Sequence, residues 1–401
     1  MAMKELKKYT VPGFKAGAAQ AGIKKAGRLD MALICSDVPA VAAGVFTTNK
    51  VKAAPVLLDM LVAKKGNARA ILANSGNANA CTGDKGMADA LEMAHLTGEA
   101  IGVDTSSVFV ASTGVIGKPM PMERVRAGIK ALPGALKPDG WEDAARAIMT
   151  TDTFPKICAV KEKIGGREVT ILGIAKGSGM INPNMATMLC FAATDAAIEK
   201  RALKAALKDA VDGSFNRITV DGDTSTNDSV ILLANGAAGN APVKLGESGY
   251  DEFKAALHAV LLKLAKMVVK DGEGATKLVE VLVAGAADEK DALKAARAIA
   301  NSPLVKTALF AADANWGRII CAAGYSGATM EPEKAEIWFD KVCMVKGGVG
   351  LGKEAEAKAT KVLKGAEYKI TVKLGAGKAE ARVYTTDLSY DYVKINAEYR
   401  S

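Results

Sequence analysis

The chain has 401 residues, enough for a sizeable buried core, and a formal net charge of +9. Hydrophobic residues make up 49% and aromatic residues only 5%, so the core must consist mainly of Ala, Val, Leu, Ile and Met. Basic and acidic residues are interspersed and aromatic platforms are scarce, which argues against a nucleic-acid-binding protein. The charged start lacks the apolar core of a signal peptide, and the longest uncharged stretch, residues 177–194, contains Asn-Pro-Asn. We therefore expect a cytoplasmic protein without a membrane span.

Short apolar runs, which predict strands, alternate with helical patterns along the first two thirds of the chain. The predicted strands are residues 31–35, 70–73, 108–111, 169–174, 185–193, 216–220 and 229–234. The predicted helices are residues 85–101, 122–132, 196–211 and 251–270, and residues 133–138 are linker-like. There is no steady alternation of strand and helix, which favours an α+β fold of layered sheets with helices outside.

The pattern changes near residue 287. It predicts helices over residues 288–300, 316–325 and 354–363, and strands over residues 307–312, 335–345, 368–374 and 379–385. We therefore predict a main domain over residues 1–286 and a smaller α+β domain over residues 287–401.

Side chains for histidine-assisted or metal chemistry are few. The two histidines, His95 and His258, lie in helical patterns, so a Ser-His or Cys-His arrangement is poorly supplied. The six cysteines occur singly, without a Cys-x-x-Cys pair, so we predict no zinc site and interpret them as small buried hydrophobic residues.

The segment around the Ala186-Thr187 bond is typical of a chain that cuts itself. Gly177 and Gly179 allow unusual backbone angles, and Asn-Pro-Asn at residues 182–184 forces a turn. A strained turn would bring the Thr187 hydroxyl to the Ala186 carbonyl for an N-to-O acyl shift. The released threonine would carry an α-amino group with a pKa of about 7.7 to 8.0 as its own base. On these residues alone, a glycine turn leading into a core strand is an open alternative.

Residues 176–189 resemble the self-cleavage region of the ornithine acetyltransferase family, also called glutamate N-acetyltransferases. The resemblance runs along the whole chain in seven further blocks, at residues 44–49, 74–83, 111–117, 149–153, 217–228, 313–318 and 392–399. It implies two sheets between helix layers, as in N-terminal-nucleophile enzymes. It also implies cleavage into fragments 1–186 and 187–401, which stay together as a dimer of two-fragment units, a heterotetramer.

The resemblance also implies the site. Thr187 would be the nucleophile, and Thr113 with Gly114 would form the oxyanion hole. The implied substrate-binding residues are Thr153, Lys176, Thr187, Glu273, Asn396 and Ser401. Thr150 and Thr151 stay open as alternatives to Thr153. Lys176 suits an α-carboxylate, and Glu273 suits an amino group or the Thr187 amine.

The implied reaction is transfer of the acetyl group of N2-acetylornithine to glutamate through an acetyl-Thr187 enzyme, without a cofactor or metal. Acetyl-CoA as a second donor stays open, although no coenzyme A signature is evident and we expect that reaction to be weak or absent. A self-cleaving amidohydrolase or aminopeptidase is the main alternative, and a purely structural or binding protein is another.

Two other motifs suggest rival functions. Residues 347–353 match a phosphate-binding loop through Lys353, but Glu354 stands where a Ser or Thr should hold magnesium. Residues 221–228 begin like a calcium loop, but the glycine at the sixth position is missing and Leu232 replaces the bidentate glutamate. Both readings are disfavoured.

Overall fold

A computed structural model describes residues 4–24, 27–182 and 188–398. The fold is α+β, with two sheets and helices, as the sequence predicted. The chain divides into two compact units. The first comprises residues 1–216 and 223–268, and the second comprises residues 217–222 and 269–401.

The first unit contains a nine-stranded sheet. Its strands are β1 (Lys4–Glu5), β2 (Phe14–Ala19), β3 (Met31–Phe46), β4 (Asn67–Asn77), β5 (Val108–Val115), β6 (Lys156–Ile164), β7 (Arg167–Lys176), β8 (Leu189–Thr194) and β9 (Ser229–Ala234). The order is β1-β6-β7-β8-β9-β3-β4-β5, and β2 also pairs with β3. Strand β3 pairs with β2 and β4 through its first part and with β9 through its second, with a register shift between Cys35 and Ala40. One bulged strand therefore joins the two halves of the sheet.

Helices cover this sheet. They are α1 (Ala54–Lys65), α2 (Gly83–Ile101), α3 (Met122–Ala135), α4 (Trp141–Ile148), α5 (Lys200–Asp212) and α6 (Tyr250–Lys270). Strand side chains alternate between faces, so Ile71 and Phe109 pack with Trp141 of α4 in one cluster. Leu72 and Val110 face the other way, into a cluster that includes residues of α2 and α3.

The second unit contains a six-stranded sheet of order β13-β12-β11-β14-β10-β15. Its strands are β10 (Leu278–Ala286), β11 (Glu336–Phe339), β12 (Val342–Lys346), β13 (Val349–Gly350), β14 (Glu367–Lys373) and β15 (Ala379–Thr385). Its helices are α7 (Glu289–Asn301), α8 (Pro303–Phe310), α9 (Trp316–Gly324), α10 (Lys353–Leu363) and α11 (Tyr390–Ala397). Strand and helix residues such as Val281, Ile370 and Ile299 share one buried core.

Several predicted elements are confirmed with small shifts at their ends, namely helices α2, α5, α6, α7, α9 and α10 and strands β9, β14 and β15. The strand predicted over residues 307–312 is wrong, because residues 307–310 belong to helix α8 and residues 311–312 form the turn after it. Ser302 caps that helix by accepting a hydrogen bond from the Val305 amide, and Pro303 occupies its first turn.

Three other predictions need correction. Residues 216–220 form no regular strand; a 3-10 turn at Phe215–Arg217 is followed by a single bridge between Ile218 and Tyr384. The strand predicted over residues 335–345 is a hairpin of β11 and β12. The linker predicted at residues 133–138 begins inside helix α3, which continues through Pro133 to Ala135.

His95 lies exposed on α2, and His258 on α6 approaches the Gly213 carbonyl at 3.2 Å, so both are helix residues as predicted. Cys158 and Cys190 are buried, but Cys81 and Cys321 are exposed, so the interpretation of all six cysteines as buried residues is wrong. None of the helices that the structure describes is long and apolar enough to span a membrane.

Candidate active site

Thr113 and Gly114 lie near the end of β5, beside β4. Gly114 has φ +135°, and a Cβ atom there would lie 2.3 Å from the carbonyl carbon of Gly76, so only glycine fits. Thr113 is 6% exposed, and its hydroxyl makes no hydrogen bond within the described ranges. This hydroxyl is therefore available as a donor to another group.

Buried amide side chains hold this strand end in place. The Asn74 side chain donates to the Asn77 carbonyl at 3.0 Å and accepts from the Ser112 hydroxyl at 2.6 Å. Asn227 donates to the carbonyl oxygens of Ala78 at 2.6 Å and Ser112 at 2.8 Å. The backbone just before Thr113 is thus fixed from both sides.

The predicted cleavage bond, Ala186-Thr187, lies outside the described residues, but both of its flanks are anchored. The Thr224 hydroxyl donates to the Asn182 carbonyl at 2.9 Å, and the Ser229 amide donates to the Met188 carbonyl at 3.0 Å. Residues 224–229, which include Asn227, therefore contact both the predicted oxyanion strand and the two flanks of residues 183–187.

Lys176, at the end of β7, approaches the block at residues 149–153. Its half-buried ammonium lies 3.5 Å from the Thr150 hydroxyl, while Thr153 is exposed. The structure thus brings Thr150, one of the three candidate threonines, to Lys176.

Asp152 lies in the same block, between Thr151 and Thr153, and its side chain is fully buried together with that of Lys156. Its Oδ1 accepts from Lys156 Nζ at 2.6 Å and from the Gly177 amide at 2.8 Å, and its Oδ2 accepts from the Thr150 amide at 2.9 Å. Burial alone would raise the pKa of Asp152, but Lys156 and Lys176 outweigh it and hold this pKa below its usual value. The carboxylate is therefore ionised at neutral pH.

Lys24 is a second cation near this block. Its ammonium donates to the carbonyl oxygens of Met149, Leu29 and Ala147. Burial, together with the charge of Arg28, lowers the pKa of Lys24 to about 8. The hydrogen bonds of Lys24 to Ala147 and Met149 fix the backbone immediately before Thr150.

In the second unit, Glu273 lies in a glycine-flanked loop against helix α11. Glu273 is 8% exposed and accepts a 2.8 Å hydrogen bond from the Asn396 side chain. Gly274 has φ +67°, and a Cβ atom there would lie 2.5 Å from the Tyr392 amide nitrogen. The glycine lets the start of α11 approach, so Glu273 and Asn396, two of the predicted substrate-binding residues, lie side by side. Ser401 lies outside the described residues.

Asp387 fixes the strand that follows this loop. Its carboxylate accepts from the Thr276 amide at 2.8 Å, the Thr276 hydroxyl at 2.6 Å and the Lys277 amide at 3.0 Å. Sequence reasoning missed Asp387, Asp152 and Lys156 as supporting residues. For Lys156 a signal was present, since a lysine opens the apolar run of residues 157–160.

The phosphate-loop alternative does not fit the structure. Gly347 and Gly348, with φ of +59° and +75°, form the turn of a hairpin between β12 and β13 rather than a loop around a helix start. The described part of the chain contains no group of three or more His, Cys, Asp or Glu side chains that could hold a metal ion.

A fixed hydroxyl that can donate a hydrogen bond is one kind of group that stabilises the negative oxygen formed in acyl transfer. The model of the ArgJ family matches residues 15–401, so the chain belongs to this family. The family resemblance seen in the sequence is thereby confirmed.

Individual relatives match along their full length. The chain is 59% identical over 391 residues to the arginine biosynthesis bifunctional protein ArgJ of Geobacter sulfurreducens, covering 98% of this chain and 100% of the relative. It is 50% identical over 398 residues to the glutamate N-acetyltransferase of Methanocaldococcus jannaschii, covering 96% of each. Among solved structures, ArgJ of Bacillus halodurans is 45% identical with a TM-score of 0.49, covering 51% of this chain and 96% of the solved chain.

Proposed function

We propose that this protein is a self-cleaving acetyltransferase that moves the acetyl group of N2-acetylornithine to glutamate. Membership of the ArgJ family and the relative named glutamate N-acetyltransferase support this reaction. The structural observation that carries the proposal is the position of residues 224–229. They contact the Ser112 carbonyl beside Thr113 and both flanks of the predicted cleavage site.

The reaction has two balanced steps. The Thr187 hydroxyl oxygen attacks the acetyl carbonyl while its proton passes to the α-amino group of the same residue. Thr113 and Gly114 stabilise the oxyanion, the carbon–nitrogen bond breaks, and ornithine leaves with the proton. The neutral amine of glutamate then attacks the acetyl-Thr187 ester, and the bond between the acetyl carbon and the Thr187 oxygen breaks. The proton that the attacking amine loses passes through the Thr187 amine to the threonine oxygen, which restores the hydroxyl as N-acetylglutamate leaves.

We assign the substrate contacts residue by residue. Lys176, whose ammonium is half-buried beside Thr150, binds a substrate carboxylate, and Thr153 is exposed to contact substrate. Glu273, paired with Asn396, binds an amino group or orients the Thr187 amine. Ser401 completes the set by family resemblance. We further propose a cytoplasmic protein that works as a dimer of two-fragment units, without nucleic acid or membrane partners.

Acetyl-CoA is the candidate for a second acetyl donor. The Geobacter sulfurreducens relative is named bifunctional, which favours a second reaction in this chain. Acetyl-CoA-dependent acetylation of glutamate is our candidate. Supplying glutamate with either donor and comparing N-acetylglutamate formation tests it, and no product from acetyl-CoA would exclude it.

The cleavage mechanism is tested by mass. Intact-mass measurement and amino-terminal sequencing should find fragments 1–186 and 187–401 in active protein and a single inactive chain for Thr187→Ala. Thr113→Ala should cut turnover on the order of a hundredfold, whereas Thr329→Ala, at an exposed turn, should not. Active enzyme consisting of one uncut chain would refute the mechanism.

The amidohydrolase alternative keeps the same nucleophile but gives the acetyl group to water. Release of free acetate without N-acetylglutamate, in the presence of both N2-acetylornithine and glutamate, would favour it. Ping-pong kinetics and an acetyl adduct on the fragment starting at Thr187 would favour transfer.

A further inference from the structure

The Asp152 carboxylate joins its own stretch, residues 150–156, to the end of β7. It accepts hydrogen bonds from the Thr150 amide, from the Gly177 amide and from the ammonium of Lys156. Both segments carry a residue proposed to bind substrate, because Thr153 directly follows Asp152 and Lys176 directly precedes Gly177. A displacement of Asp152 would therefore move both sets of groups.

The sheet register explains why these segments meet. Lys156 opens β6 and lies opposite Ala175 of β7, so its side chain starts next to Lys176 and Gly177. The Lys156 ammonium also lies 4.9 Å from the centre of the Phe154 ring. A lysine reaching back four residues closes the turn between Asp152 and the strand.

Burying the ion pair of Asp152 and Lys156 costs free energy, which indicates that the pair serves to position the groups around it rather than to stabilise the core. Both side chains are 0% exposed, and a buried ion pair is in general no more stabilising than apolar side chains of the same volume. Neutral side chains would hold the core together as well, but they would not supply an acceptor for two backbone amides and an ammonium at once.

Resting on the function proposed above, we propose that Asp152, ion-paired with Lys156, is a positioning residue that fixes Lys176 relative to the Thr150–Thr153 turn and so sets affinity for the amino-acid substrates. It does not touch the reacting atoms. Its loss should therefore weaken substrate binding more than it slows the chemical step.

Asp152→Asn tests this, because the amide keeps the volume but offers one acceptor oxygen in place of two. On fully cut enzyme, checked by intact mass, we expect KM for N2-acetylornithine to rise about tenfold to a hundredfold, with kcat within about threefold of the wild type. The dissociation constant for ornithine, measured by calorimetry, should rise in parallel. An unchanged KM and dissociation constant in a folded Asp152→Asn enzyme would overturn the proposal.

A second variant covers the case in which Asp152→Asn does not fold. Asp152→Asn combined with Lys156→Met removes both charges and leaves no buried ion. We expect this double variant to fold and still to show the raised KM; a folded double variant with wild-type KM and ornithine affinity would contradict the proposal.

Lys156→Met gives a pH readout that a purely structural role would not move. The lysine charge helps keep the pKa of Asp152 low, so without it the carboxylate takes up a proton at a higher pH as the pH falls. KM of Lys156→Met should therefore rise on acidification at a pH where the wild-type KM is constant. Parallel pH profiles for the two proteins would count against the proposal.

The matched control is the exposed ion pair Lys161–Glu168 on the same two strands, at 3.1 Å. Lys161→Met with Glu168→Gln should leave KM and kcat unchanged. If wild-type enzyme binds ornithine but transfers no acetyl group, the proposed function is wrong. The role of Asp152 can still be tested, by comparing the dissociation constants of wild type and Asp152→Asn for ornithine. If wild-type enzyme does not bind ornithine, both proposals are wrong.

Discussion

Each unit has a buried aspartate whose hydrogen-bond partners lie close in the chain to predicted substrate residues, but the two aspartates are satisfied differently. Asp152 in the first unit is ion-paired with the buried Lys156 at 2.6 Å. Asp387 in the second unit accepts from neutral donors, the amides of Thr276 and Lys277 and the hydroxyls of Thr276 and Thr386. The arrangement at Asp152 depends on the charge of Lys156, whereas the arrangement at Asp387 depends largely on the backbone at Thr276 and Lys277.

The second unit also buries a lysine, but without a salt bridge to a carboxylate among the described residues. Lys306 is 3% exposed and donates to the Thr385 hydroxyl at 3.1 Å and to the Thr386 carbonyl. Burial lowers the pKa of Lys306 to about 8 despite the opposing charges of Asp387 and Asp221. A buried ammonium without a direct carboxylate partner is thus partly neutral at mildly alkaline pH.

The largest effect should come from breaking the ion pair of the first unit. Lys156→Met leaves the buried carboxylate of Asp152 without its lysine, which should lower the free energy of unfolding by about 3–5 kcal/mol. Asp152→Asn with Lys156→Met should recover much of this loss. Denaturant unfolding in a Thr187→Ala background keeps all chains uncut and comparable. A double variant as unstable as Lys156→Met alone would show that charge is not the cause.

Lys306 should give a pH-dependent effect of about 3 kcal/mol. Its pKa is about 8 in the folded unit and about 10.4 in the unfolded chain, so the penalty of burying the ammonium is complete below pH 8. The penalty shrinks as the pH rises and is gone above about pH 10.4. Wild-type stability should therefore rise relative to Lys306→Met between about pH 8 and 10. A pH-independent difference between the two unfolding free energies would contradict this, and Lys378→Met is the exposed control.

Asp387→Asn should have a smaller effect, because the buried Lys306 ammonium, which loses the opposing charge of Asp387, keeps its acceptors on Thr385 and Thr386. The amide can accept fewer of the hydrogen bonds from Thr276 and Lys277, which should cost about 1–3 kcal/mol. Hydrogen exchange should show the loss locally, as faster exchange of the Thr276 and Lys277 amides. Exchange that speeds up equally throughout the second unit would mean that Asp387 supports the whole unit rather than this loop.

How much the sequence could predict differs between local and distant features. Helices α2 and α6 and strands β9 and β15 follow from hydrophobic spacing within each segment, and the patterns found them. The strand predicted at residues 307–312 is wrong because a short apolar run is equally typical of a strand and of a buried helix, and the cap at Ser302 distinguishes the two. The bulge in β3 and the pairing of this strand depend on partner strands that are distant in the chain, such as β9, so the hydrophobic periodicity within β3 could not reveal them.

The site shows the same limit. The family resemblance predicted Thr113, Gly114, Lys176, Glu273 and Asn396 as site residues, and the backbone geometry at Gly114 gives a physical reason for a glycine at that position. Asp152 and Lys156, four residues apart, would ordinarily be taken for an exposed pair on one helix face. Only the register of β6 against β7 buries that pair beneath Lys176.

The smallest effects on the free energy of unfolding should come from exposed ion pairs. They give the lower limit against which the buried ion pair is compared. Lys161–Glu168 in the first unit and Lys270–Glu367 in the second lie 3.1 and 2.8 Å apart, with all four side chains well exposed. Such pairs are screened by water and salt, so Glu168→Gln and Glu367→Gln should each change the free energy of unfolding by less than about 1 kcal/mol. The change should shrink further at high salt in the same denaturant assay. An effect as large as that of Lys156→Met would mean that charge pairing in general, rather than burial, stabilises these units, and the contrast between Asp152 and Asp387 would lose its basis.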